Sequence, residues 1–168
     1  MDVLIDGYNL IGAESGLGGP LEHKRNWLIQ RLGRYQEIKK FNLTVIFDGW
    51  RSGQAGETTE RAGGVTVVYS RLGEKADAVI VRLARAKAAG TVVVTSDREI
   101  RNAVERSGAT AISAAEFSRI LRSLDGGYES ADGDEDEEPA VGPGRKGNAN
   151  RLSKSARRHD DKLKKLKL

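Results

Sequence analysis

Met1-Asp2-Val3-Leu4-Ile5-Asp6-Gly7-Tyr8-Asn9-Leu10 opens the chain, and its reading decides the fold. Val3, Leu4 and Ile5 form a short apolar run that stops at Asp6-Gly7. An apolar run this short, bounded by a turn signal, is what a strand buried on both faces looks like. An acid at the carboxyl end of such a strand stands at the sheet rim, where open α/β folds bind their ligands. The remaining question is whether other acids reach the same rim.

Outward from that stretch, the pattern alternates. Gly12 to Pro20 is glycine-rich and reads as a loop. Leu21 to Lys40 reads as a helix, because Trp27, Leu28, Arg31, Leu32, Tyr35 and Ile38 recur at three- and four-residue spacing. Leu43 to Phe47 is a second buried strand and runs directly into Asp48-Gly49. Trp50 to Gly64 has no periodicity and is expected to be a long loop. Val65 to Tyr69 is a third strand, and a mostly apolar helix follows Glu74-Lys75-Ala76-Asp77. Thr91 to Thr95 is a fourth strand, followed at once by Ser96-Asp97, then by a helix over Arg98 to Arg106. Ala109 to Ile112 is a fifth strand. Ser113 and Glu116 have the spacing of a capping box for a last helix.

Helical crossovers force parallel pairing, so the expected fold is an α/β three-layer sandwich with a mainly parallel five-stranded sheet and a charged C-terminal tail. The domain is expected over 1–124, with an acidic, glycine-rich disordered linker over 125–147 and a basic tail, helical on a surface, over 148–168. Residues 129–143 hold seven acids and no base, whereas 144–168 hold ten bases and two acids. That asymmetry suits an appended segment that meets an anionic polymer. The chain has no cysteine and two histidines, which excludes thiolate metal sites and disulfides and argues against a histidine-rich site. No apolar run approaches the ~20 residues needed to span a bilayer, and the N-terminus lacks a signal-peptide pattern. A cytoplasmic protein is expected.

Three buried strands therefore end in an acid, at Asp6, Asp48 and Asp97, and Asp77 opens the helix before the strand that leads to Asp97. Each taken singly has an ordinary explanation, because Asp caps helices and closes turns. Four at one rim repel one another and call for a cation. Hard oxygen ligands suit Mg²⁺ or Mn²⁺ and metal-assisted attack of water on a phosphodiester. Tyr8 stands where a haloacid-type phosphatase needs its second Asp, and no Gly-Lys-Ser/Thr phosphate loop occurs.

Asp6-Gly7-Tyr8-Asn9, Phe47-Asp48-Gly49, Glu74-Lys75-Ala76-Asp77 and Thr95-Ser96-Asp97, with Ser113-Ala114-Ala115-Glu116-Phe117 near the end, resemble the YacP-like NYN-domain nucleases of the PIN-like superfamily. The resemblance implies a metal-dependent endoribonuclease acting on RNA, including mRNA at the ribosome. It implies Asp6, Asp77 and Asp97 as Mg²⁺ or Mn²⁺ ligands, with Asn9 and Asp48 completing the catalytic set. Two positions depart from the pattern: Lys75 where relatives often carry Thr, and Val81 where they often carry Glu. The rival expectation is a non-catalytic RNA- or ribosome-binding module on the same fold; a small-molecule phosphohydrolase is a third. Trp50, Arg51, Arg61, Lys75 and Arg98 are the expected RNA contacts, offering a stacking ring and cations to a single strand.

Overall fold

The structure, a computed structural model, describes residues 1–49, 56–87, 90–124 and 153–167. Its elements are β1 (Asp2–Asp6), α1 (Gly7–Ser15), α2 (Leu21–Lys39), β2 (Asn42–Phe47), β3 (Thr58–Ala62), β4 (Val65–Tyr69), α3 (Ala76–Lys87), β5 (Val92–Val94), α4 (Arg98–Arg106), β6 (Thr110–Ile112), α5 (Ala114–Ser123) and α6 (Lys154–Leu166). The strands form one sheet in the order β3-β4-β2-β1-β5-β6. All neighbours are parallel except β3 on β4.

Strand alternation divides the core into two layers. Val3, Ile5, Val45, Phe47, Val67, Val92 and Val94 pack on one face beneath α1, α2 and α5. Leu4, Ile46, Val68, Val93 and Ala111 pack on the other beneath α3 and α4. This is the expected three-layer α/β sandwich, with six strands in place of five. The sixth strand, β3, lies inside the stretch expected as loop. Its sequence Thr-Thr-Glu-Arg-Ala is mostly exposed and is held by pairing with β4 rather than by burial, so it carries no hydrophobic signal. Helix α1 is a second correction, since it begins at Gly7 and runs into the region read as loop. Gly7 is helical, and a Cβ there would stand 2.2 Å from the Phe47 ring. The residue read as a turn is therefore a packing glycine.

Helix α1 is locked to α2 by a buried ion pair between Glu14 and Arg31, and the Arg31 guanidinium lies 5.0 Å from the Trp27 ring. The capping box on α5 forms as the spacing predicts, with Ser113 accepting from the Glu116 N–H and Glu116 accepting from the Ser113 N–H.

The segment 125–147, expected as a linker, lies outside the described residues. Beyond it, α6 is the helix expected in the tail, and it lies against the main body of the fold rather than apart from it. Leu166 is fully buried in the same core layer as Tyr35 and Phe117, with Leu163 packed beside it. The Tyr35 hydroxyl donates to the Leu166 carbonyl at 2.7 Å, and Lys162 Nζ donates to the Gly90 carbonyl at 2.8 Å. Leu166→Ala is expected to destabilise the whole fold by about 2–5 kcal/mol, the range for emptying a buried leucine site. A thermal melt checks this, and an unchanged Tm would show that α6 only rests on the surface.

Candidate active site

The chain leaves β1 towards β2 on one side, while β5 leads to β6 on the other. The sheet order therefore reverses between β1 and β5. A crevice opens at the carboxyl ends of two strands where their connections diverge in this way. Asp6 ends β1 and Asp97 lies three residues beyond β5, so both border that crevice.

Each acid is held by a helix start. Asp6 caps α1, accepting the Asn9 N–H at 3.1 Å through Oδ1. Asp97 caps α4, its Oδ1 accepting from Glu99 N at 2.7 Å and Ile100 N at 3.1 Å. Asp48 Oδ1 accepts the Ala76 N–H at 2.7 Å, which ties the end of β2 to the start of α3, where Asp77 stands in the first turn. Capping and ligand service are thus compatible: one carboxylate oxygen of Asp6, Asp48 and Asp97 is fixed by backbone N–H groups, and each carboxylate has a second.

Cross-links join the two sides of the crevice. Thr95 is fully buried; its Oγ1 donates to Asp6 Oδ2 at 3.3 Å and accepts the Asp97 N–H at 3.1 Å. Asn9 Oδ1 accepts the Ser96 N–H at 3.0 Å, and Ser96 Oγ accepts the Ala114 N–H at 3.1 Å. On the other flank, fully buried Ser70 accepts the Gly49 N–H at 2.9 Å and donates to the Glu74 carbonyl at 2.6 Å. Ser70 thereby couples the loop after Asp48 to the loop before Asp77.

The electrostatics record the convergence. Burial pushes the Asp6 carboxyl up to about 6, and the charges of Asp77 and Asp48 push the same way, against the lowering effect of the Asn9 N–H. Asp77 is also raised, first by burial and then by Asp97 and Asp48, while Lys75 opposes the shift. All four acids therefore share one electrostatic neighbourhood. Among the described residues, no group of three or more Asp, Glu, His or Cys side chains already stands as a metal-holding cluster. The donor chemistry nevertheless fits a hard divalent cation, which would relieve the repulsion that raises Asp6 and Asp77.

The structure thus brings Asp6, Asn9, Asp48, Asp77 and Asp97 together. Lys75 is exposed immediately before α3, and Arg98 is exposed as the first residue of α4, directly after Asp97. Arg61 is not at this rim. It pairs with Thr66 near the start of β4 and lines a cleft with Asp2, Asn42 and Lys87 at the opposite end of the sheet. The reversed direction of β3 carries it there. Trp50 and Arg51 lie outside the described residues. Val81, where an acid was expected by resemblance, is a partly buried residue packed against the α3 layer of the core. The amino-acid sequence gives no signal for Ser70 and, although Thr95 stands in the Thr95-Ser96-Asp97 motif, none for its bridging role. Both are small polar side chains whose meaning lies in contacts between segments remote in sequence. Arg25 was also missed; it donates to the Tyr8 hydroxyl at 2.9 Å beside the Tyr8–Phe47 edge contact.

A mainly parallel α/β sheet whose acids gather where the strand order reverses defines the class of protein. The chain belongs to the YacP-like NYN domain family, which matches residues 3–166 and so takes in α6 as well as the sheet. Its structure is similar to two crystal structures of Rae1 (YacP) from Bacillus subtilis, one of them a mutant. The TM-scores are 0.62 and 0.61, each at 30% identity and 74% coverage of this chain, over 76% and 75% of the respective Rae1 chains. No curated protein sequence matches the chain. Membership of this family supports a nuclease or RNA-related role. No helix among the described residues is long and apolar enough to cross a membrane.

Proposed function

We propose that this protein is a metal-dependent endoribonuclease whose centre is the crevice between β1 and β5. The observation that carries this reading is the convergence of Asp6, Asp48, Asp77 and Asp97, with Asp6 raised to about 6 by burial and by its acidic neighbours. Asp6, Asp77 and Asp97 would hold one or two Mg²⁺ or Mn²⁺ ions. When bound, the cation supplies Lewis acidity to a phosphoryl oxygen and offsets the charge of the acids.

The chain's own groups do the rest. The N-cap bonds hold Asp6 and Asp97 in fixed orientation, and Thr95 sets the distance between them. Asn9 fixes the backbone at Ser96. Lys75 and Arg98 offer positive charge to the phosphates on either side of the centre. RNA is the substrate on this reading, and the likeness to YacP-like proteins extends it to mRNA presented at the ribosome in the cytoplasm.

A second reading, an RNA- or ribosome-binding module without catalysis, is favoured by Val81 in place of an acid. One experiment separates the two: incubation of a long single-stranded RNA with the purified chain in Mn²⁺ and in EDTA, beside Asp77→Asn. Cutting that needs Mn²⁺ and is lost in the variant is expected, together with a Mn²⁺-dependent rise in Tm that the variant lacks. RNA binding without cutting under any of these conditions would favour the module instead.

A further inference from the structure

Helix α6 is bound to the fold from His159 to Leu166, and its contacts fix its direction. Near its C-terminus, Leu166 meets Tyr35, and Lys162 reaches Gly90 ahead of β5 and the sulfur of Met1 ahead of β1. These are groups at the amino ends of the parallel strands. Further back, His159 Nε2 stands 3.4 Å from Glu116 Oε1, at the start of α5 and just past the carboxyl end of β6. The helix therefore points its N-terminus towards the end of the sheet that carries the acids.

Contacts continue from there into the site. Glu116 holds Ser113, Ala114 N donates to Ser96 Oγ, and Ser96 N donates to Asn9. At 1.5 Å per residue, Lys154 lies about 7–8 Å beyond His159 along the helix axis, on the same heading. His159, Lys162, Leu163 and Leu166 form the inward stripe, so helical periodicity turns Lys154, Arg157, Arg158, Lys164 and Lys165 outward, against only Asp160 and Asp161. Lys164 is engaged with Asp160 at 3.4 Å. Lys154 and Arg158 are exposed in the half nearest the crevice.

We infer that the first two turns of α6 form a phosphate-gripping arm that holds the RNA backbone flanking the cleaved bond. The inference rests on the RNA-cleaving reading and names where that substrate runs: from the crevice, past the start of α5, onto Lys154 and Arg158. The occupant is a single-stranded RNA backbone, because an ammonium and a guanidinium one turn apart meet phosphates rather than base edges. The basic character of the C-terminal segment thereby has a location, and only one half of the helix is placed to serve.

The test compares two pairs of substitutions with equal loss of charge in the full chain: Lys154→Gln with Arg158→Gln, and Lys164→Gln with Lys165→Gln. Binding of a fluorescent single-stranded RNA of about 12 nucleotides is read by anisotropy in EDTA over a range of salt concentrations. The crevice-side pair is expected to weaken binding about tenfold at moderate salt. It should also make the slope of log K against log salt shallower by about 1.4, the value for two lost contacts to a single strand. The distal pair is expected to change affinity by less than about threefold. Equal losses from both pairs would overturn the arm and leave only diffuse attraction. So would an RNA affinity unchanged in the crevice-side pair, whether or not that pair loses binding to anionic lipid vesicles. Failure of the parent chain to bind RNA would overturn the arm, whereas the nuclease reading stands or falls on the Mn²⁺ cleavage experiment. Unchanged melting curves in both variants exclude unfolding as the cause.

Discussion

Asp6→Asn is expected to destroy cleavage and to stabilise the protein in the same stroke. Asparagine caps helices as aspartate does, so the bond from the Asn9 N–H survives. What disappears is a negative charge that burial and the acids Asp77 and Asp48 disfavour. The sign follows from linkage. A carboxyl raised from 3.8 to about 6 on folding favours the folded state below its unfolded value and loses that contribution as pH climbs through about 6. At pH 7 the charged Asp6 therefore opposes folding. Its removal is expected to add about 2–3 kcal/mol, or about 4–12 °C in Tm for a chain of this size. RNA cleavage in Mn²⁺ should meanwhile fall about a hundredfold or more, equivalent to ~3 kcal/mol on the barrier. Two further readings check the same origin: the parent should gain stability on going from pH 7 to pH 5 more than the variant does, and Mn²⁺ should raise the Tm of the parent alone. A variant less stable than the parent at pH 7 would show that burial and the neighbouring acids do not disfavour the Asp6 charge as described.

Gly49→Ala is expected to have the opposite character, with a collapse of stability that takes the site with it. A Cβ on Gly49 would stand 1.5 Å from the Ser70 carbonyl oxygen, which is backbone and has no rotamer to escape into. The adjacent Gly49 N–H also bonds to Ser70 Oγ, so relaxation of one contact breaks the other. A loss of about 4 kcal/mol or more is expected, the range reserved for a named steric failure in a packed interior. Gly12→Ala serves as the control. It lies within α1, and the new Cβ would meet only Leu17 Cγ at 3.9 Å, so a gain of about 0.5–1 kcal/mol is expected from helix propensity. Urea unfolding of both variants distinguishes the cases. A parent-like midpoint for Gly49→Ala would mean that the strands carrying Asp48 and Ser70 are not in the contact described.

A third glycine, Gly7, marks the boundary between what the amino-acid sequence made legible and what it did not. Val3 to Ile5, Leu43 to Phe47 and Thr91 to Thr95 are apolar runs whose type and ending are local properties, so the parallel strands and the acids beyond them could be read directly. Gly7 follows Asp6 in a pattern that normally closes a turn. That it opens a helix depends on the Phe47 ring, forty residues away, which leaves no room for a side chain. The β3 residues Thr58 to Ala62 are polar on both faces, and only pairing with β4 makes them a strand. The place of Arg61, away from the acids, follows from the same pairing, since an antiparallel edge reverses the end of the sheet that a residue reaches. Asp48 was recognised, but its bond to the Ala76 N–H and the bridge through Ser70 are tertiary facts with no spacing to betray them. The metal-ligand roles of Asp6, Asp77 and Asp97 stay with the proposed function, supported by shared electrostatics.

The burial of Leu166 bears on how the protein is made. Synthesis proceeds from the N-terminus, and α5 ends at Ser123, 43 residues before the leucine that completes the layer around Tyr35. At roughly 5–20 residues per second, that layer waits about 2–9 s for its last member after α5 has been joined, and longer for passage through the exit tunnel. The four acids are all in place on the nascent chain by Asp97, but the body that holds them closes only when α6 arrives. A protein assembled in this order matures late: the rim acids are synthesised early, and the final docking of α6 completes the core that holds them in place.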